Sequence, residues 1–499
     1  MMYTGEAEVT TEWAYYSAKQ LLTEMKNGKL TSRQLLDYYI KRIERLNPQL
    51  NAVIATDFSA ARARADAADK ARGDGKSWGP LHGLPMTVKD TYEVVGMPCV
   101  AGAPSLKDHL PKKNAVAVQR LEDAGAVIFG KTNVPLFASD IQSYNKVYGT
   151  THNPWNVQYT PGGSSGGAAA SLAAGFTSVE LGSDIGGSIR TPAHFCGVYG
   201  HKPTHGIISL RGHIPGPPGV LSETDLAVAG PMARTADDLQ MLLDVVTGPS
   251  PLMEPGWNLK LPAAKQRKLQ DFRVLFWFDD PLCPIGSDMQ PAYAQLKRTL
   301  EEQGVSVTTG SPLGMNLETF YPTYLQLIGG VMGASHKKVE RTVMSLAAPV
   351  FEKLGSRFKL PKLFDNYLIG AGQSHVDWLR ASEKRYRLRE KFKAVFDQFD
   401  VVLCPVAMTT TFKHLQQPEM LLRKITVDGK QRNYPDLFMW IAPATLMGLP
   451  ATSAPVGVTK DGLPVNVQIM GAPYEDKTTI RFARLLEKAG ITFQSPPGY

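Results

Sequence analysis

The stretch that most constrains what this chain can fold into is the run over residues 160–204, TPGGSSGGAAASLAAGFTSVELGSDIGGSIRTPAHFCGVYGHKPT. Two glycine-flanked serine sites, GGSSGG at 162–167 and GGS at 186–188, stand on either side of a small-residue helix and a strand. Glycine reaches positive φ without a steric penalty and lets backbone approach a ligand closely, leaving N–H groups free to point at it. Such turns are built to hold an anion, and the alanine-rich helix between them is shaped to lie close on a sheet.

The flanking sequence alternates in the same way. Thr31 with Gln34 is a capping-box pair, and Leu35, Leu36, Tyr39, Ile40, Ile43 and Leu46 follow at helical spacing until Asn47-Pro48 is expected to stop the helix. A second helix is expected over 59–72. A short strand over 86–88 then delivers Lys89 and Asp90 at its carboxyl end, where open α/β sheets keep their ligands. A helix over 114–124 and a buried strand over 126–130 continue the alternation, followed by the helix 168–174, the strand 177–181 and a loop over 182–188.

Residues 249–271 read as a surface connection. Beyond it come a strand at 272–278, an amphipathic helix at 290–303 and a strand at 305–308. Residues 316–399 read as mostly helical, with 367–396 the longest stretch. A buried strand follows at 400–405, then a polar loop over 416–435. Strands at 441–457 and 463–471, split by the turn Lys460-Asp461-Gly462, lead to a closing helix at 476–489.

Composition narrows the class. The 499 residues would make two or three average domains or one large α/β body, and 43% hydrophobic with 20% charged residues is ordinary for a soluble globular protein. The net charge of +8 (54 minus 46) is spread without any basic block, which argues against nucleic-acid binding. Cys99, Cys196, Cys283 and Cys404 lie far apart with no CxxC pair, so they read as reduced, buried thiols and neither a zinc site nor a disulfide framework. The N-terminus lacks a leader pattern and no run of eighteen apolar residues occurs, so a cytoplasmic protein with no membrane partner is expected.

Several chemistries fit fragments of the glycine-rich run. Residues 162–166 match GxSxG, the nucleophile elbow, but that turn needs a strand leading straight into the serine, and WNVQYTP at 155–161 reads as a loop. The late histidines His336, His375 and His414 have no distinctive context for a Ser-His-Asp triad. Ser143 to Lys146 fits SxxK without the companion motifs. No GxxxxGK[ST] or well-placed GxGxxG supports a nucleotide cradle.

Five segments taken together are specific. HGLPMTVKD at 82–90, AGAVIFGKTN at 124–133, TPGGSSGG at 160–167, LGSDIGGSIRTPAHFCGVYGHKPT at 181–204 and GLPVNVQIMG at 462–471 resemble the amidase signature family, in the family's order and over nearly the whole chain. The resemblance implies an α/β fold, a single large domain with a mixed central β-sheet covered by helices on both faces. It also implies a Ser-cis-Ser-Lys triad in which Ser188 is the nucleophile, Ser164, after a cis peptide bond, the bridging serine, and Lys89 the base. The intervals, 164 − 89 = 75 and 188 − 164 = 24, match the family's spacing.

Physical chemistry agrees with these residue types. A serine hydroxyl needs a nearby base, and lysine serves only when neutral, a state that burial favours. The N–H groups of Ile185, Gly186, Gly187 and Ser188 are the candidate oxyanion donors. Ser165, Asp184 and Arg190 are implied by the resemblance to brace the lysine and the nucleophile loop. Taken singly, a lysine after a strand is ordinarily solvated and GGSSGG is ordinarily a linker; it is their joint occurrence that reverses this. Cys196, His194 and His201 read as packing or local hydrogen bonding.

Departures are Ala168, where the family often has serine, and His201, where it has leucine. The chain divides into an N-terminal helical segment (1–75), a signature core (76–248), a variable region supplying the substrate pocket (249–435) and a C-terminal return to the sheet (436–499). The expected function is hydrolysis of a carboxylic amide through an acyl-Ser188 intermediate, releasing ammonia or an amine, with esters, anilides or carbamates as side substrates. Tyr144, Tyr321, Tyr324, Trp378, Phe438 and Trp440 point weakly to an apolar or aryl substrate. Two alternatives stand beside it: the amidase subunit of a tRNA-dependent amidotransferase, and a catalytically silent binding protein on the same fold. No metal or organic cofactor is implied, the partner is a small-molecule amide, and a homodimer is admitted as an assembly.

Overall fold

Short apolar and β-branched runs bounded by glycine or proline supply the strands. The computed structural model describes residues 13–214, 218–354 and 360–499; residues 1–12, read above as carrying no leader, lie outside the described residues. In chain order the strands are β1 (Val53–Thr56), β2 (Pro85–Lys89), β3 (Val127–Thr132), the short pair β4 (Tyr144–Asn145) and β5 (Gly149–Thr150), β6 (Val179–Asp184), β7 (Tyr199–Lys202) and β8 (Val228–Ala233). β9 (Arg273–Phe276), β10 (Ser306–Thr309), β11 (Val401–Pro405), the pair β12 (Lys424–Val427) and β13 (Lys430–Asn433), β14 (Ala451–Val458) and β15 (Pro464–Met470) follow.

Eleven of them form one sheet in the order β1-β3-β2-β6-β8-β7-β14-β15-β11-β9-β10. β2 is parallel to β3 and β6, and β9 is parallel to β10 and β11. The strands between these two groups are antiparallel. Alternate side chains of a strand face opposite ways, so Val274 and Phe276 of β9 with Val401 and Leu403 of β11 enter one apolar core. Leu275, Val402 and Cys404 enter another. Helices close both: Leu35, Leu121, Leu242, Leu296 and Ile480 pack into the first, and Tyr324, Leu325, Phe392 and Leu446 into the second. The result is a mixed sheet covered on both faces within one α/β body.

The helix Gly166–Ala173 shows why its residues are so small. All eight are buried, and a Cβ added to Gly167 would stand 2.3 Å from the Asn133 backbone nitrogen. Any larger residue there would push the helix off the sheet.

Five local expectations are corrected. The first helix does not stop at Asn47-Pro48 but runs Ser32–Leu50, because proline removes only one donor near the end while Leu50 gains full burial. Its left-handed cap, Asn51, donates its N–H to Asn47 O at 2.7 Å. The stretch 367–396 is two helices, Asp365–Gly372 and His375–Gln398, split where Ser374 accepts from the Asp377 N–H as an N-cap. Residues 416–435 contain the hairpin β12–β13 around Asp428-Gly429. Residues 441–457 begin with a buried helix, Ala442–Leu446, before β14. β6 continues through Asp184, so only 185–188 form the loop beyond it.

Candidate active site

β2 and β6 are parallel neighbours, with Thr87 beside Glu180 and Val88 beside Leu181. Their carboxyl ends therefore deliver Lys89 and Asp184 to the same edge of the sheet. Lys89 is fully buried, and its Nζ lies 2.7 Å from Ser164 Oγ and 2.9 Å from Ser183 Oγ. Burial pushes the Lys89 ammonium down to about 7, against the opposing pull of the Asp184 and Glu180 carboxyls.

Ser164 follows a cis Gly163–Ser164 peptide bond. The turn that carries it is held by Ser143, whose Oγ donates to Gly162 O at 3.1 Å and accepts from the Gly166 N–H at 3.0 Å. Lys146, the other end of the SxxK match, is exposed. Among the described residues no strand runs into Ser164; the preceding Tyr159 makes only an isolated bridge to Lys413. GGSSGG is therefore not a nucleophile elbow.

The Ser165 N–H donates to Ser188 O at 3.1 Å and so ties the two serine turns together. The loop carrying Ser188 is folded around Asp184, whose carboxylate accepts from the N–H groups of Gly187 at 2.9 Å, Ile189 at 3.1 Å and Arg190 at 3.3 Å. Gly187 sits at φ +85, where a side chain is strained, and an added Cβ would meet Thr191 Oγ1 at 2.7 Å. Arg190 pairs with Asp184 through Nε–Oδ2 at 3.0 Å and Nη2–Oδ1 at 2.8 Å, both side chains being fully buried. It also donates to Ile441 O, Gln468 Oε1 and Thr445 Oγ1. Burial alone would raise the Asp184 carboxyl, but Arg190, Lys202 and the Ile189 N–H together outweigh it and hold it at about 2.

Of the four N–H groups named from sequence as oxyanion donors, that of Gly187 is committed to Asp184. Ile185, Gly186 and Ser188 line a cleft, with Ser188 7% exposed at its floor. The walls are Ile141, Tyr324, Leu325, Ile328, Met332, Phe364, Tyr367, Met420, Leu421 and Phe438, with Asp140 the one charged lining residue among the described residues. Asp140 is already engaged: Arg423 Nη1 lies 2.6 Å from its Oδ2, Tyr144 OH donates to Oδ2 at 2.9 Å and Tyr434 OH to Oδ1 at 2.7 Å.

Only two of the six aromatic residues named from sequence, Tyr324 and Phe438, line the cleft. Tyr321 stacks behind Tyr324 with ring centroids 6.1 Å apart, and Trp440 packs edge-on against Trp277 at 5.3 Å. Tyr144 braces Asp140, and Trp378 packs against the second core. The four cysteines are free and buried. His201 contacts Thr452 Oγ1 and Asp476 Oδ1, and His194 accepts from the Asn466 N–H at 2.8 Å.

Three features escaped the sequence reading. Ser183 shares the Lys89 ammonium with Ser164, although LGSD offers no sign that this serine turns toward the lysine. Glu180 is fully buried beneath the site; an acid inside the apolar run SVELG was the available signal. The Asp140–Arg423 pair joins residues 283 positions apart, beyond the reach of any local pattern.

With this geometry, comparison with known proteins is direct. The family model described as Amidase matches residues 34–480. A glutamyl-tRNA(Gln) amidotransferase subunit from Synechococcus sp. (strain CC9605) is 32% identical over 492 residues, covering 95% of this chain and 96% of that protein. Its counterpart of the same name from Carboxydothermus hydrogenoformans is 30% identical, covering 96% of this chain and 98% of its own. Among solved structures, the native peptide amidase from Stenotrophomonas maltophilia has a TM-score of 0.75 at 25% identity, covering 98% of this chain and 99% of that one. A chain of a vestigial protein complex connected with the origins of an s-triazine catabolic enzyme reaches 0.77 at 27% identity, covering 96% and 99%. No helix of the described residues is long and apolar enough to cross a membrane. The chain belongs to the amidase signature family and is an enzyme of the class that breaks carbon–nitrogen amide bonds.

Proposed function

We propose that this chain hydrolyses small amides with an apolar acyl or amine part, through an ester of Ser188, and releases ammonia or an amine. The observation that carries the reading is the buried contact of 2.7 Å between Lys89 Nζ and Ser164 Oγ, set beside a Ser188 that opens onto an apolar cleft.

In this mechanism Lys89 is neutral and accepts the Ser164 proton while Ser164 accepts that of Ser188. Ser188 Oγ forms a bond to the carbonyl carbon. The developing oxyanion is received by the N–H groups of Ile185, Gly186 and Ser188, while the Gly187 N–H stays with Asp184 to hold the loop in shape. Collapse breaks the carbon–nitrogen bond as the proton returns through Ser164 to the leaving nitrogen. Water then repeats the sequence on the ester, releasing the acid and restoring Ser188. Among the described residues no hydrogen bond joins Ser164 to Ser188 directly, and such contacts often close only when substrate is bound. Ser165, Asp184 and Arg190 act by positioning these groups.

The second reading, a glutamine-hydrolysing component of an amidotransferase, is favoured by the names of the relatives at 30–32% identity. Glutamine carries an α-carboxylate and an α-ammonium. Among the described residues Asp140 is the one charged residue lining the cleft, it is already bonded to Arg423, Tyr144 and Tyr434, and no cation lines the cleft. This favours an apolar amide over glutamine.

The test is a panel of apolar amides, anilides, esters and glutamine on the purified chain and on Ser188→Ala. Turnover of apolar amides, lost in Ser188→Ala, supports the reading. Activity confined to glutamine, or turnover that survives Ser188→Ala, overturns it.

A further inference from the structure

Residues 412–422 are all exposed or half-buried, yet they carry Met420 and Leu421 into the wall of the cleft. Met420 packs against the second core and Leu421 against the small cluster of Ala348, Phe364 and Leu368, each only in part. The backbone forms one helical turn, Met420–Leu422. Side chains must therefore fix where this stretch lies, and the first buried one after it is Arg423.

Arg423 gathers the stretch and ties it across the chain. Its Nη1 lies 2.6 Å from Asp140 Oδ2, and its Nη2 donates to Tyr144 OH at 2.8 Å and to Gln416 O at 3.2 Å. Its Nε donates to Pro418 O at 2.8 Å. The guanidinium carbon stands 5.2 Å from the Tyr434 ring centroid and 5.9 Å from that of Tyr144. The Arg423 side chain is 4% exposed and that of Asp140 9%. Lysine has neither the planar fork nor the flat face that this arrangement uses.

Asp140 is anchored in turn on the side of the catalytic serines. A Cβ added to Gly163, the residue before Ser164, would stand 2.6 Å from Asp140 O and from the Gln142 backbone nitrogen. Gln142 Oε1 accepts from the Leu415 N–H at 2.9 Å, and Ser143 Oγ donates to Gly162 O. Residues 140–143 thus touch the Ser164 turn on one side and the cleft wall on the other.

We propose that Arg423, through its pairing with Asp140, is a positioning residue that sets specificity: it holds the Met420–Leu421 wall in place relative to Ser188, and so favours amides whose apolar part is bulky enough to rest on that wall over small aliphatic ones. The inference rests on the reading of Ser188 as the nucleophile. A bulky apolar group gains from the wall by burial and packing. A methyl group has too little surface to do so.

Two reagents read this on the purified chain: phenylmethylsulfonyl fluoride, whose ring is of a size to meet the wall, and methanesulfonyl fluoride, which offers one methyl group. With either, Ser188 Oγ bonds to sulfur as the S–F bond breaks, fluoride leaves, and the serine proton passes through Ser164 to Lys89. The ratio of the two rate constants, phenylmethyl over methane, therefore separates the cleft from the chemistry. In Arg423→Met this ratio is expected to fall about tenfold from wild type, the size of one lost apolar contact in a pocket. A ratio that stays at or above the wild-type value, whether or not both rates fall, overturns the role of Arg423 and leaves Ser188 as the nucleophile. Failure of both reagents to label Ser188 in wild type, with Ser188→Ala as control, overturns the reading of Ser188, and the inference falls with it. Should Arg423→Met not fold, Tyr144→Phe decides, since it keeps the ring but removes the hydroxyl that bridges Arg423 Nη2 and Asp140 Oδ2. The ratio must then fall by about two- to threefold, as for one lost hydrogen bond, and an unmoved ratio refutes the proposal.

Discussion

Replacing Arg190 by methionine tests the architecture of the nucleophile loop most sharply. Methionine keeps much of the unbranched stem but strips Asp184 of two charge-assisted bonds, at 2.8 and 3.0 Å, in a site with no exposed surface. Breaking one side of such a buried pair costs about 3–5 kcal/mol, because a charge is left unpaired. Unfolding entropy of roughly 2.1 cal/mol/K per residue over 499 residues gives about 1 kcal/mol/K, so Tm should fall by about 3–5 °C in a calorimetric scan. Wild type loses this contribution in acid, so the gap between the two proteins narrows there. Asp184 is held at about 2, below the unfolded value of about 3.9, so its contribution is complete above pH ~4 and disappears as pH falls toward 2. The same change loosens the turn from 185 to 188, and a misplacement on the order of 1 Å costs about 100-fold in rate. Removing Asp184 as well, as Asp184→Leu with Arg190→Met, should not restore stability, since the N–H groups of Gly187, Ile189 and Arg190 then lose their acceptor. A single variant with Tm within about 1 °C of wild type and undiminished turnover would refute this account of the loop.

Further expectations concern the base and the cleft. Turnover should rise from acid to neutral pH with a midpoint near 7, because Lys89 must lose its proton and burial sets it at about 7; a flat profile across that range refutes the assignment. Gly186→Val should block apolar substrates and raise KM at least about tenfold, since even a Cβ there stands 3.0 Å from Phe438 Cε1; steady-state kinetics decide. Phe438→Ala removes the wall opposite Gly186 and should raise KM for aryl amides by about 10- to 100-fold, or 1–3 kcal/mol, with a smaller change in kcat. Arg423→Ala leaves Asp140 buried without its cation and should cost about 3–5 kcal/mol in urea unfolding while loosening the cleft wall at Met420 and Leu421.

Much of the frame follows from local chemistry. The Thr31–Gln34 box starts its helix as read, and the alanine-rich run 166–173 is a helix because nothing in it resists one. Lys89 falls at a strand's carboxyl end because PMTVK is apolar and β-branched up to that residue. Lys89, Ser164 and Ser188 stand out in the sequence only through the joint order and spacing of five segments that resemble one family, because each turn taken alone reads as an ordinary linker or strand end. The misses were local as well: the Ser374 cap and the Asp428-Gly429 turn carried signals, outweighed by the helical and polar character of their neighbours.

What the sequence determined by itself is the set of turns that can carry such chemistry: glycines where backbone must bend, small residues where a helix must lie flat, and a lysine poised at the end of a strand. Tertiary structure alone decided how those groups are tuned. Only the pairing of β2 with β6 brings Glu180 and Asp184 beside Lys89, and only the fold of the loop commits the Gly187 N–H to Asp184. Likewise Asp140 meets Arg423 across 283 residues, closing a cleft whose apolar walls come from five separate stretches of the chain, at 141, 324–332, 364–367, 420–421 and 438. Proton affinities and pocket shape depend on burial and on neighbours distant in sequence, and neither is set until the chain has folded.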